Sequence, residues 1–395
     1  MEPRVTKHDT LTRVLIGLTG VFILLFAGLT LANYFIPTEI SRALTPTTEL
    51  NTIENPDQPQ QVIPPEPTLD KTEYATLMLR MANNGLYALL STSTQVSYAS
   101  STGTTTTVIP ARDPQELFAA HSKAWPAEAS FPELGALLPF HRIVAYYGNF
   151  YSTRMGALGK FPPEVMKNML LNEVANWEAA DPQTPVIPAI DYIAMVAQAD
   201  PGADGMYRNL MPDSQIEKAH RLAQEVDGIL ILEVQVGLAD LQTEIERLEK
   251  WFIKPDVHLA IDPEFAMHNE RAPGTVIGMV NAQDINRAAE YLQSLSVEHN
   301  LPPKILIVHR FTKNMVQNHA DIKPNAHTQI VMVMDGWGPP ANKIGTYYNV
   351  IEPEPVQFTG FKVFYGNDMK APSTHLLSPR EILNLTPQPL FIQYQ

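Results

Sequence analysis

Between residues 131 and 395, short apolar runs recur along the chain, and most end in a polar or charged side chain. Ile187 to Ile190 runs into Asp191, Ile229 to Leu232 into Glu233, and Leu259 to Ile261 into Asp262. Ile305 to Val308 runs into His309, and Ile330 to Met334 into Asp335. Runs of about four to eight such residues read as strands buried on both faces, as in a parallel sheet. Eight are legible: Arg142 to Tyr147, Val186 to Ile190, Gly228 to Val234, Val257 to Ile261, Lys304 to His309, Gln329 to Met334, Gly360 to Tyr365 and Leu390 to Tyr394.

The segments between them carry apolar residues at helical spacing, such as Val165, Met169, Leu170, Val174 and Trp177, and later Leu241, Ile245, Leu248 and Phe252. Ser214 with Glu217, and Ser378 with Pro379 and Glu381, match the capping-box pattern of helix starts. Strand and helix alternating eight times predict an α/β fold, a (β/α)8 TIM barrel over residues 131–395. No Gly-x-Gly-x-x-Gly follows the first strand, which argues against a doubly wound dinucleotide fold. The sixth and seventh connections show little helix signal, so irregularity is expected there.

The N-terminal third follows a different pattern. Val14 to Ile36 is a stretch of 23 residues without a charge, long enough to span a bilayer as a helix. Arg4, Lys7 and Arg13 precede it and an acidic flank follows, which predicts a cytoplasmic segment 1–13 and a transmembrane signal anchor at 14–36. A cleaved signal peptide ending near Thr30-Leu31-Ala32 is the competing reading. Either way the body is exported, and the expected location is the cell membrane, single-pass, with the C-terminal domain extracytoplasmic. Residues 37–70, rich in Pro, Thr, Gln and Glu, predict a disordered linker. Residues 71–90 hold a short helical pattern (Tyr74, Leu77, Met78, Met81), and the Ser/Thr-rich stretch 91–110 reads as a second spacer.

Composition narrows the function classes. With 395 residues, 45% of them hydrophobic, the chain can bury a sizeable core. A net charge of −14 and no Lys/Arg cluster exclude a nucleic-acid binder. The absence of cysteine excludes disulfides, thiolate metal sites, cysteine nucleophiles and a lipid-modified cysteine. No Gly-x-Ser-x-Gly elbow or phosphate-binding loop is present, so no cofactor is called for.

What remains is carboxylate chemistry at the strand exits, where a barrel places its site. Asp262 and Glu264 share strand parity; if the strand persists through Pro263, both carboxylates face one side, and one of them would hold its proton above the usual range. The plainer alternative has Asp262 capping the next loop and Glu264 meeting Arg271 or Arg310. Asp335, followed by Gly336 and Trp337, is the third candidate acid. Tyr146, Tyr147, Trp337 and Tyr365 fall at predicted strand exits, where aromatic faces stack on sugar rings. Asp191, Glu233, Gln235 and His309 are candidate substrate-binding groups, and a buried Glu233 requires a partner. His258, His268 and His309 lack the spacing of a compact metal motif, so no metal is assigned. Paired acids with aromatics on an exported barrel suggest glycosidic bond cleavage. The partner would be a cell-wall glycan or another polysaccharide. A non-catalytic barrel that binds glycan or a protein partner is the alternative.

Four stretches carry a resemblance. They are Tyr146-Tyr147-Gly148 with Ala157-Leu158-Gly159; Pro185 to Ile190 running to Asp204-Gly205-Met206-Tyr207; Leu259 to Glu264; and Val333-Met334-Asp335-Gly336. In these the chain resembles exported glycoside-hydrolase-like barrel proteins of Gram-positive and related bacteria, a group without an established activity. The resemblance implies a TIM barrel related to glycoside hydrolases, without a reaction to carry over. The lipobox cysteine is missing here, and the N-terminal apolar segment stands in its place.

Overall fold

Continuous apolar runs bury both faces of every strand, and the chain meets that demand by closing the sheet on itself and covering it with helices. The computed structural model describes residues 68–91, 94–100, 103–109, 113–120, 125–127 and 129–395, all within one compact unit, Glu66–Gln395. The expected cytoplasmic segment, membrane anchor and most of the linker lie outside the described residues. Among those described, no helix is long and apolar enough to cross a membrane.

Eight parallel strands form the barrel: β1 (Arg142–Gly148), β2 (Val186–Ala197), β3 (Ile229–Val234), β4 (Val257–Ile261), β5 (Lys304–Arg310), β6 (Thr328–Met334), β7 (Phe358–Val363) and β8 (Phe391–Tyr394). They pair in chain order, and β8 closes onto β1 with Ile392 opposite Val144. The principal covering helices are α1 (Pro163–Ala180), α2 (Asp213–Gln224) and α3 (Ala282–Glu298). As the sequence suggests, later connections are irregular: 3-10 turns between β5 and β6, a seven-residue helix running into a π turn between β6 and β7, and a five-residue helix between β7 and β8.

Alternation within each run decides which layer a residue joins. Val144, Tyr146, Leu230, Leu232, Leu306 and Val308 face outward and pack against Trp177, Leu222 and Leu292 of the helices. Ile143, Ala145, Ile231, Ala260, Ile305, Ile307 and Val333 face inward. Each buried Val, Leu or Ile among them contributes about 1.5–3 kcal/mol. The inner cluster continues into Tyr74, Met78 and Leu79 of the helix Lys71–Ala82, which therefore closes the N-terminal end of the barrel. Asp70 caps that helix by accepting from the Thr72 and Glu73 amides, both at 2.9 Å.

Three local expectations change. The helix expected to start at a Ser214–Glu217 box starts instead at Asp213 after Pro212, with no side-chain cap, because the proline already sets the entry. The stretch 91–110, read as a spacer, contains strands Thr94–Ser100 and Gly103–Ile109 paired antiparallel; its β-branched threonines and valines favour extended backbone. The second strand extends past Asp191 to Ala197 and holds an antiparallel partner, Arg208–Leu210.

Candidate active site

The upper, C-terminal end of the barrel gathers the buried acids. Tyr147 of β1, Asp191 of β2, Glu233 of β3, His309 of β5, Lys362 of β7 and Gln393 of β8 occupy its interior, joined by Asp262 and Asp335 just past β4 and β6. Above this layer opens a cavity of about 460 Å³, lined among others by Tyr147, Gln235, Asp262, Glu264, Asp335, Trp337 and Lys362.

The buried groups form one connected network. The Tyr147 hydroxyl donates to Glu233 Oε1 at 2.9 Å. The Gln235 amide lies 3.2 Å from the same oxygen and 3.4 Å from Asp262 Oδ2, tying β3 to the β4 exit. The Gln393 amide donates to Asp191 Oδ2. His309 stands between two carboxylates, with Nε2 3.2 Å from Glu233 Oε2 and Nδ1 3.3 Å from Asp335 Oδ2. Both are ion-pair distances. Lys362 Nζ sits 3.1 Å from Asp335 Oδ1 and 4.1 Å from the centre of the Tyr147 ring.

Electrostatics separates these acids. Burial pushes Asp191 up to about 8, and the nearby charge of Glu233 adds to the effect. Burial, then Glu233, holds Asp262 well above the ordinary carboxylate range. Glu264 is also raised, by partial burial and then by Asp335. For Asp335 burial acts the same way, but Lys362 and then His309 outweigh it and keep the carboxyl below its usual value. Burial would lower His309, yet Asp335 and Glu233 carry it to about 10.

Asp262 and Glu264 reach the cavity by a route other than strand parity. The strand stops at Ile261, and Pro263–Phe265 form a 3-10 turn capped by Asp262, whose Oδ1 accepts from the Glu264 amide at 3.0 Å. The capping role foreseen as the plainer alternative is therefore real, and both side chains still line the cavity because the turn folds over its rim. Arg310 is committed elsewhere, to Glu354 at 2.6 Å.

Other expected site residues divide cleanly. Tyr146 and Tyr365 are not at the mouth: they pack behind the wall under α1, their hydroxyls 2.8 Å apart, with Tyr365 donating to Glu173 Oε1 at 2.7 Å. Tyr146 has outward parity, opposite to that of Tyr147. Asp191 is not a strand end but a mid-strand residue, opposite Tyr147 in the ladder. Trp337 is 60% exposed on the rim. His258 accepts from the Ile305 amide near the strand starts, and the His268 ring contacts the Met279 carbonyl, so only His309 joins the acids. Lys362, Gln393, Phe311, Phe364 and Arg154 escaped sequence reading. Lys362 and Gln393 did leave a signal there, as lone polar residues flanked by apolar neighbours in strands.

Among metal-competent groups, one oxygen or nitrogen each from Asp191, Glu233 and His309 lie within 4.8 Å of one another.

No protein-family model matches the chain, and no curated protein sequence matches it. Similar solved structures include a mannanase of Bacillus subtilis, 11% identical over 65% of this chain and 79% of that one, with a TM-score of 0.34. The YdhT protein of Bacillus subtilis is 12% identical, covering 65% and 81%, with a TM-score of 0.35. The Bacillus subtilis mannanase BCman is 11% identical, covering 65% and 81%, with a TM-score of 0.32. At this distance the likeness carries no chemistry.

Proposed function

We propose that this chain is a glycoside hydrolase acting on a cell-envelope or environmental polysaccharide through a pair of carboxylates, Glu264 and Asp335. One observation carries the reading: the two acids line the same cavity in opposite settings. Asp335 is ion-paired to a buried ammonium at 3.1 Å, while Glu264 is half-buried and biased toward its protonated form. Glycosidic cleavage needs such a division: one carboxylic acid to protonate the leaving oxygen, one carboxylate to attack the anomeric carbon or activate water. Glu264 takes the acid/base role and Asp335 the second. Asp262, held by Gln235 and its own cap, positions the turn that presents Glu264. Trp337 offers an exposed aromatic face to a sugar ring.

In the same proposal, residues 14–36 anchor the chain in the cell membrane with the barrel outside. The support is the uncharged length of that segment and the positive charges before it. The test is release of reducing ends from a polysaccharide panel by the purified chain. Cleavage that Glu264→Gln and Asp335→Asn both abolish supports the assignment. Saturable glycan binding without product over long incubation favours the non-catalytic alternative.

A further inference from the structure

Beneath the cavity floor, Asp191, Glu233 and His309 meet from three strands, β2, β3 and β5, and all three are fully buried. Each carboxylate has one oxygen held by a donor: Gln393 on Asp191 Oδ2, Tyr147 on Glu233 Oε1. Of the remaining oxygens, Asp191 Oδ1 is buried and accepts nothing, while Glu233 Oε2 faces His309 Nε2 at the ion-pair distance of 3.2 Å. Leaving such an oxygen unmatched is costly, and Asp191 Oδ1 is aimed at the convergence of all three side chains.

We propose that these three residues form a binding site for a divalent transition-metal ion. The distances fit. Adjacent ligand atoms around zinc or manganese stand roughly 3.0–3.4 Å apart, given bonds of about 2.1 Å, and His309 Nε2 lies 3.2 Å from Glu233 Oε2; a bound ion would take the place of the proton the two share. All three donors fall within 4.8 Å of one another, and small side-chain rotations bring them inside the roughly 4.2 Å that two bonds of about 2.1 Å can span. The outer groups also match a metal centre, where a ligating imidazole commonly faces a carboxylate through its other nitrogen. Asp335 Oδ2 lies 3.3 Å from His309 Nδ1 and is itself held by Lys362. An imidazole donor beside two carboxylates favours Zn²⁺ or Mn²⁺ over Ca²⁺ or Mg²⁺, which prefer all-oxygen shells. The site does not rest on the glycosidase reading, since none of the three residues lines the cavity.

The test uses the full-length chain, stripped with chelator and given Zn²⁺, Mn²⁺ or Ca²⁺ separately. Bound metal is counted by elemental analysis after desalting, and melting is followed in parallel. One Zn²⁺ or Mn²⁺ per chain and a raised Tm are expected. Asp191→Asn and Glu233→Gln, which keep shape, should lose the stoichiometric ion, and Asp335→Asn should weaken binding by about 10–100-fold. Should a variant fail to fold, the wild-type chain with Co²⁺ suffices: a ligand-field absorption band abolished by one equivalent of Zn²⁺ supports the site. No retained metal, equal retention of Ca²⁺, undiminished binding in the folded variants, or a Co²⁺ spectrum of the hydrated ion would overturn it.

Discussion

Lys362 Nζ lies 3.1 Å from Asp335 Oδ1, joining neighbouring strands inside the barrel, with both side chains almost fully buried. A buried pair of this kind is costly to break from one side, because the surviving charge stays in the interior. Lys362→Met should therefore destabilise the fold by about 3–5 kcal/mol. The double variant Lys362→Met/Asp335→Leu should recover most of that loss. Urea midpoints of the wild type, both single variants and the double variant check this, and full additivity would refute coupling.

Glu264→Gln keeps size and hydrogen bonding but cannot release or return a proton. It should lower kcat on a responsive glycan by about 10²–10⁴-fold while leaving the melting temperature within a few degrees. In the wild type, the raised Glu264 carboxyl keeps the acid form to higher pH than a free glutamate. The alkaline limb of kcat against pH should therefore reflect loss of that proton, and Glu264→Gln should remove the limb.

Asp262 gives a stability prediction with a definite sign. Burial, and then the charge of Glu233, holds its carboxyl well above the ordinary value of 3.8 in the folded chain. As pH rises past 3.8, the unfolded chain releases this proton while the folded chain keeps it, so stability falls until the folded carboxyl also ionises. Denaturant midpoints measured between about pH 4 and pH 8 should decline with pH in the wild type. Asp262→Asn should show a shallower decline. Identical slopes for the two proteins would sink the prediction.

Trp337 and Tyr146 should separate binding from stability. Trp337→Ala removes a ring that is 60% exposed, so stability should change by no more than about 0.5 kcal/mol, while glycan binding weakens by roughly tenfold. Tyr146→Phe removes the 2.8 Å hydroxyl contact with Tyr365 behind the barrel wall. It should cost about 1 kcal/mol of stability and leave KM unchanged. Calorimetric melts and glycan titrations read both effects.

Much of the candidate site was legible because barrel strands advertise themselves twice, by apolar continuity and by the polar residue that ends it. Glu233, His309 and Asp335 were found this way, and all three sit in the polar upper layer. Tyr146 and Tyr365 share that signature, yet the wall turns them outward onto α1. Proximity to a strand end does not carry inside-or-outside information unless the register is counted from residues already known to face inward. Ala145 is such a residue, and Tyr147, two positions on, shares its face.

By itself, the sequence determined the number and order of the strands, the barrel they imply, and the placement of acids near its C-terminal mouth. Those features depend on local hydrophobic patterning and short-range parity, which a chain carries in its linear order. Only the tertiary structure decided that the turn capped by Asp262 brings Glu264 over the cavity, and that Lys362 reaches Asp335. It alone brought Asp191, Glu233 and His309 within 4.8 Å. Their spacings along the chain of 42 and 76 residues hold no periodic signal. Such contacts arise when a closed sheet brings distant strands across its interior, and their energies depend on burial that no single segment possesses.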